Sequence, residues 1–207
     1  VANLNDDSME PHGFTATFDT NNATLNLPRY FAEPLQFVAP SKLVLRGDAS
    51  QPIIQLERAD LALEDTSIHA VGTVEKRADG WYVRGQATSE ALNIAKLYKY
   101  WPLTMAPDSR HWVTSKLKSG SAPKGVLKLN LTPIDFAAPY FSDASVDAVA
   151  EAKDITFEYL PGFPLVDKIN GLAHFTATTV KVEGSGGSVL QGTRVQAIAR
   201  YLPRLNV

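Results

Sequence analysis

The chain has 207 residues, of which 44% are hydrophobic, 20% charged and 9% aromatic, and its formal net charge is −2. A globular chain of this size buries roughly 70% of the surface that it exposes when unfolded, and the composition excludes a disordered, collagen-like or coiled-coil protein. The near-neutral charge gives no support for a nucleic-acid-coating protein, and the absence of cysteine excludes disulfides, thiol catalysis and cysteine metal sites.

The N-terminal residues 1–12 are expected to form a flexible segment. Four of its side chains are of the types that ligate cations, although a solvated chain end is the simpler interpretation: Asp6, Asp7, Glu10 and His12. Residues 13–207 are expected to form a single elongated β-rich unit. Because the chain opens with Val1 and has no stretch of the ~18 apolar residues that span a bilayer, we expect it to be a fragment of a longer chain.

From Phe14 onward, apolar and polar residues alternate, which is typical of strands with one solvated face. The pattern is clearest at residues 14–18, 81–88 and 127–131, and it returns at 43–45, 54–56, 61–63, 68–74, 146–152, 155–159, 172–177, 180–182 and 195–199. Parallel strands buried on both faces have continuous apolar runs instead, so the alternation predicts at least ten antiparallel strands.

One change of phase interrupts this alternation. The apolar positions are even-numbered from Val146 to Ala152 and odd-numbered from Ile155 to Tyr159. A strand cannot change phase without an irregularity, so either one strand bends sharply at Lys153 and Asp154 or two strands meet there.

A helical insertion is predicted at about 89–120. Its first helix has apolar residues at helical spacing, an N-cap and a proline stop: Ile94, Leu97, Tyr98 and Trp101, with Ser89 and Pro102. Its second helix begins after Pro107 and Asp108 and ends before Gly120, with Trp112, Val113 and Leu117 on one side. Helices beside such a sheet usually cover part of its apolar face.

The sequence carries no recognisable catalytic motif. The histidines His12, His69, His111 and His174 lack metal-site spacing, and those within strands are expected to be hydrogen-bonded sheet residues. Gly184-Ser185-Gly186-Gly187 is not a nucleophile elbow and predicts a hairpin loop. We expect no catalytic residue, no metal and no cofactor, and therefore no enzyme; a hydrolase with an unrecognised site is the catalytic alternative.

Charge is unevenly distributed along the second half of the chain. Between Asp108 and Asp135 there is no acid, whereas five basic residues, named here the basic strip, lie there: Arg110, Lys116, Lys118, Lys124 and Lys128. The next stretch is acidic. A solvated face is the simpler interpretation, and binding to lipid head groups or to an acidic neighbour is the functional one.

The order of motifs resembles YhdP-type AsmA-like proteins, of the AsmA/TamB superfamily of bridge-like lipid transfer proteins. The resemblance rests on Tyr100-Trp101-Pro102, then Arg110-His111-Trp112-Val113 leading to Lys118-Ser119-Gly120, and on the strand Gly125 to Leu131 before Asp135-Phe136. Tyr159-Leu160-Pro161-Gly162-Phe163-Pro164, the strand containing Gly171 to Phe175, and residues 195–207 are also similar. The similarity runs from about Phe14 to the end.

The resemblance implies a periplasmic protein whose inner-membrane anchor lies outside this fragment. Its fold would be mainly β with two short helices, an extended curved antiparallel sheet forming an open groove or half-barrel of the β-taco kind. Such a groove shelters phospholipid acyl chains during transport from the inner to the outer membrane, without catalysis. The implied partners are phospholipid and neighbouring repeats of the same longer chain, and no nucleic acid.

The alternation itself leaves a second architecture open, since a closed β-sandwich has the same pattern. The groove candidates, which are equally candidates for an ordinary core, are Phe14, Phe18, Leu127, Leu129, Phe157 and Phe175. The alternative function is a β-rich cell-envelope scaffold or protein-binding module. If the sheet of the full protein continues on both sides, the exposed edges of this fragment are expected to pair edge to edge.

Overall fold

The computed structural model describes residues 2–4, 11–48, 51–103, 107–138, 141–158, 160–187 and 194–200. The strands are β1 (Ala2–Leu4), β2 (Pro11–Thr20), β3 (Ala23–Leu25), β4 (Leu35–Phe37), β5 (Ser41–Asp48), β6 (Ile53–Ala62), β7 (Ser67–Arg77), β8 (Gly80–Asn93), β9 (Leu117–Leu131), β10 (Val146–Phe157), β11 (Val166–Phe175), β12 (Thr179–Ser185) and β13 (Arg194–Arg200). A 3-10 turn at Ile94–Lys96 leads into α1 (Leu97–Tyr100), followed by α2 (Pro107–Lys116) and α3 (Pro133–Ala137).

One antiparallel sheet of 11 strands dominates the molecule, in the order β1-β2-β5-β6-β7-β8-β9-β10-β11-β12-β13. Only the two-stranded ribbon β3-β4 stands apart from it within the described ranges. The prediction of a large antiparallel sheet is confirmed. The closed sandwich is wrong, because no second large sheet is available in the described part of the chain to cover the apolar face of the first.

The alternation of residues gives this sheet one apolar face and one polar face. Ala16 lies opposite Leu45, Leu45 opposite Leu56, and Leu129 opposite Val146, so apolar side chains form rows across the strands. The other face carries cross-strand polar pairs, including His69 Nδ1 at 2.7 Å from Asp60 and His174 Nε2 at 2.6 Å from Asp147. These two histidines are hydrogen-bonded sheet residues, as predicted.

A line of irregular residues crosses β9, β10 and β11 near one end of these strands and continues at Gly186, directly after β12. Gly120, Asp154, Lys168 and Gly186 have positive φ angles of 120°, 53°, 52° and 149°. A Cβ at Gly120 would lie 2.8 Å from the Ile155 Cα atom, so only glycine fits there. We call this line the crease; β-bulges of this kind bend a strand and increase its twist.

The crease explains the change of phase in β10. Residues 146–157 form one strand, and the bulge at Asp154 returns Ile155 and Phe157 to the apolar face. The first alternative, a single strand that bends, is therefore correct. Asn170 holds the bulge in place, since its side-chain oxygen accepts a hydrogen bond of 3.1 Å from the Asp154 N–H.

The helical insertion exists, but its limits differ from those predicted. Ser89 and Glu90 lie in β8, paired with β9, and Asn93 caps the 3-10 turn by accepting a hydrogen bond of 3.0 Å from the Ala95 N–H. The first helix stops after Tyr100, before Pro102, as predicted. The second ends at Lys116; Leu117 and Lys118 belong to β9, because strand pairing with β10 replaces the last helical turn.

Several predictions lie partly outside the described residues. Asp6, Asp7, Glu10 and the side chain of His12 fall there, as do Tyr159 and residues 201–207. Within the predicted N-terminal segment, Ala2–Leu4 and the start of β2 are paired strands of the main sheet. Gly184 and Ser185 still belong to β12, so the predicted loop begins only at Gly186.

Candidate functional site

The apolar face of the sheet forms a trough that runs across the strands. Two concave sections lie along it, and both are lined by Ala87 of β8 and Leu127 of β9, so they are continuous. One section is open to solvent, and the other is covered by residues 94–103 and 107–116, which we call the cap. We name the two sides of the trough by what lies beside the strand ends there. The cap side has the strand ends next to the cap, and the α3 side has the opposite strand ends, next to α3.

The open section is built from aliphatic residues of β5 to β9 and encloses about 380 Å³. Its floor is formed by cross-strand neighbours of the apolar rows: Leu43, Leu45, Ile54, Leu56, Val74, Val83 and Leu129. Ile54 is 46% exposed and Val74 36% exposed. Large aliphatic side chains therefore face solvent on a sheet that has no described layer above it here.

The capped section encloses about 430 Å³ between the cap and strands β8 to β12. Its walls contain the most deeply buried large side chains that the structure describes, Ile169 and Val113, each 1% exposed. Val113 comes from α2 and Ile169 from β11, so the cap and the sheet meet in a packed core at one side of the cavity. Packing of this kind fixes the position of the cap.

The cap is anchored on its own side of the trough by charged and phenolic groups. Lys96 and the Tyr100 hydroxyl, the latter at 3.0 Å, both bind Asp65 in the β6–β7 turn. The hydrogen bond from Lys96 lowers the pKa of Asp65, whereas burial and the bond to Asp65 raise the pKa of Tyr100 well above its usual range. These contacts hold the first helical turns against the sheet edge.

Arg110 joins the two helices of the cap. Its guanidinium donates hydrogen bonds of 3.2 Å to the Trp101 carbonyl and 2.9 Å to the Tyr98 carbonyl, which lie at the end of α1. A positive charge at these carbonyls also complements the negative end of the helix dipole. The cap is therefore one unit rather than two independent helices.

The far end of the cap reaches across the trough. The rings of Trp101 and Phe175 meet edge to face, with centroids 6.3 Å apart and planes at 88°. Phe175 ends β11 on the α3 side, next to the β11–β12 turn. Aromatic contacts of this geometry are favourable beyond the area that they bury, so this pair fastens the cap to the opposite wall.

The six groove candidates all belong to the apolar face, but they line different parts of it. The Phe14 ring lies over Gly47, and Phe18 is opposite Leu43, so both stand at the β2 end of the open section. Leu127 and Leu129 lie at its other end, and Phe157 and Phe175 line the capped section. No single cluster contains all six.

The basic strip is not brought together as one surface. Arg110 lies inside the cap, and Lys118 forms an ion pair of 3.1 Å with Glu158. Lys124 and Lys128 lie farther along β9, with Lys128 opposite Asp147 of the acidic stretch. Basic residues of the strip thus lie partly opposite acidic residues of the next stretch on neighbouring strands. Head-group binding by this strip stays a prediction.

Sequence reasoning missed a polar anchor on the α3 side. The Asp135 carboxylate is buried and accepts hydrogen bonds from the Thr132 and Ser142 N–H groups at 2.8 and 2.9 Å and from the Ser145 hydroxyl at 2.6 Å. Burial alone would raise the pKa of Asp135, but these donors hold it well below its usual range. The capping-box spacing Thr132-Pro133-Ile134-Asp135 is the sequence signal that was available.

The arrangement offers an apolar shelter. Among the side chains that the structure describes, no group of three or more His, Asp or Glu residues is placed to hold a metal ion. None of the described helices has the length and hydropathy of a membrane span. The site can therefore exclude water from an apolar ligand, with Thr and Ser as its main polar lining.

Comparison with known proteins identifies a family for the chain. The model of the family described as YhdP protein matches residues 1–206. A search of the curated proteins and a search of the solved structures find no match to the chain.

Proposed function

Because the chain belongs to the YhdP family, we propose that its trough shelters phospholipid acyl chains, without catalysis, on their way from the inner to the outer membrane. Membership suggests a lipid-transport-related, AsmA-like protein of the periplasmic envelope. The lipid class, the direction and an inner-membrane anchor elsewhere in the full protein belong to the proposal.

The observation that supports this proposal is the open section of the trough. Aliphatic side chains that stay in contact with water, such as Ile54, are unfavourable unless a ligand covers them. Each methylene that such a surface removes from water contributes about 0.8 kcal/mol. Burial of this kind is non-directional, so the trough would recognise the acyl chain and tolerate different head groups.

The test uses a charge placed inside the trough and a matched charge outside it. Leu45→Glu puts a carboxylate among the aliphatic residues of the open section, whereas Val44→Glu puts it on the polar face of the same strand, beside Arg58. Both proteins are purified from bacterial membranes and examined by native mass spectrometry. We expect phospholipid to co-purify with wild type and Val44→Glu and to be strongly reduced in Leu45→Glu; equal lipid content in all three would contradict the proposal.

A second candidate, an envelope scaffold that binds another protein, is favoured by apolar side chains outside the trough. Ile134 of α3 is 78% exposed and Phe136 is 48% exposed. Large apolar side chains of this type anchor protein interfaces. The scaffold function predicts saturable binding of another protein, which Ile134→Asp should abolish while the lipid content stays unchanged. The edge strands β1 and β13 are the proposed pairing sites for neighbouring repeats, or for a second copy of the fragment.

A further inference from the structure

Small residues form a lane along the floor of the capped section. Ser89, Gly125, Ala150 and Ala173 are successive cross-strand partners from β8 to β11, so this row runs along the trough rather than along a strand. Ala152 and Gly171, which are also cross-strand partners, lie next to this row on the same face and widen the lane. Because cross-strand neighbours share a face, the lane is a shallow depression in the floor.

Large side chains border the lane on both sides. Leu127 and Phe175 stand along its α3 side, and Ile155 and Ile169 stand along its crease side; all four line the same cavity. Ile155 and Ile169 lie opposite each other, as the register of β10 and β11 shows. The floor therefore has walls, and space is left between them.

The cap provides the roof. Leu97, Trp101, Trp112 and Val113 line the cavity from above, and the contact of Trp101 with Phe175 closes the α3 side. The roof ends where the open section begins, at Ala87 and Leu127, which line both sections. The lane is thus a roofed continuation of an unroofed trough.

The volume of the capped section sets what it can hold. At about 430 Å³ the cavity lies toward the small end of ligand pockets, whose volumes range over ~300–1,000 Å³. A cavity of this size suits one acyl chain rather than two. No described residue forms a roof over the open section, so its width is not limited in this way.

We propose that the cap makes the capped section a tunnel for one linear acyl chain, with the lane of Gly125, Ala150 and Ala173 as its path. This inference rests on the proposed function and adds a size limit to it. A lipid passes its chains beneath the cap singly, and an apolar body wider than one chain, such as a fused-ring sterol, is excluded. A pocket of fixed width discriminates in this way through steric conflict with packed walls.

The experiment fills the lane with larger side chains and measures acyl-chain binding through the fluorescence of the tryptophans in the cap. Trp101 and Trp112 line the cavity, so in a Trp81→Phe background the tryptophan fluorescence reports on the capped section. Dibromopalmitic acid is titrated as the probe, since bromine quenches tryptophan on contact. Ala150→Phe fills the lane, Ala173→Leu fills it partly, and Leu172→Phe, next to Ala173 on the opposite face and 52% exposed, is the matched control.

We expect saturable quenching in the background protein and in Leu172→Phe, at least tenfold weaker binding in Ala150→Phe, and an intermediate loss in Ala173→Leu. A dibrominated sterol should not quench. Unchanged quenching in both lane variants, or quenching by the sterol, would overturn the tunnel. If phospholipid co-purifies with wild type but the fatty acid never quenches, the tunnel fails and the proposed function stands; if no lipid co-purifies either, the proposed function itself fails.

Discussion

The open and capped sections of the trough are made from the same kind of strand, yet they have opposite relations to water. In the open section Ile54 is 46% exposed, whereas in the capped section Ile169 is 1% exposed. The difference comes from the cap, whose residues line one section and are absent from the lining of the other. Alternation therefore determines that a face is apolar, and a separate insertion determines whether that face becomes core or groove.

The largest expected effect on stability comes from truncating one isoleucine side chain in each section. Ile169→Ala leaves a cavity in packed surroundings and is expected to lower the free energy of unfolding by about 2–5 kcal/mol. Ile54→Ala removes side-chain atoms that are already half solvated, so its cost should be about 1 kcal/mol or less. Equilibrium urea denaturation measures both. Equal losses would mean that the two sections are packed alike.

A second test concerns the buried carboxylate on the α3 side. Because the folded pKa of Asp135 is depressed, its contribution to stability is complete above the unfolded pKa of about 3.9 and is lost as the pH falls below it. Asp135→Asn should therefore lower stability at pH 7 by about 2 kcal/mol, through loss of hydrogen bonds to a charged acceptor. Urea denaturation between pH 7 and pH 3 should show the difference shrinking toward acid; a loss independent of pH would contradict it.

The smallest expected effect separates the anchors of the two sides. The ion pair of Asp65 with Lys96 on the cap side is partly solvated, so Asp65→Asn should cost about 0.5 kcal/mol at low salt. The difference from wild type should vanish in 0.5 M NaCl, because salt screens solvated charges. Thermal unfolding of Asp135→Asn in the same buffers is the control, since its buried carboxylate is shielded from salt. A salt-independent loss at Asp65 would show that hydrogen bonds rather than the ion pair hold the cap, and no loss at all would show that the cap is held by packing alone.

Much of the sheet could be predicted because its signal is local. Every strand from β2 to β13 in the large sheet coincides with an alternating stretch of sequence. In β10 the change of phase also predicts the bulge. The irregularity in β11 is harder to predict from the sequence. Val166 and Gly171 also differ in phase there, but Gly171 itself and Lys168 weaken the alternation. Ser89 failed as a helix cap because pairing with Gly125 outweighs a local preference.

Only part of the candidate site could be predicted from the sequence. The six candidates belong to the apolar face, since a period of two assigns faces directly. What the cap covers depends on long-range contacts, such as Trp101 with Phe175 and Arg110 with the Tyr98 carbonyl, that no local pattern encodes. The tunnel depends on them, and so could not be inferred from alternation.

The crease also bears on how the sheet assembles. Sliding one strand past its neighbour by a single residue would separate left-handed residues that now lie side by side, such as Asp154 and Gly120, and would turn apolar side chains toward water. The crease thus fixes the register of three adjacent strands, β9, β10 and β11. Each hairpin can find its correct pairing from the hairpin formed before it, which protects a long meander from misregistered folding.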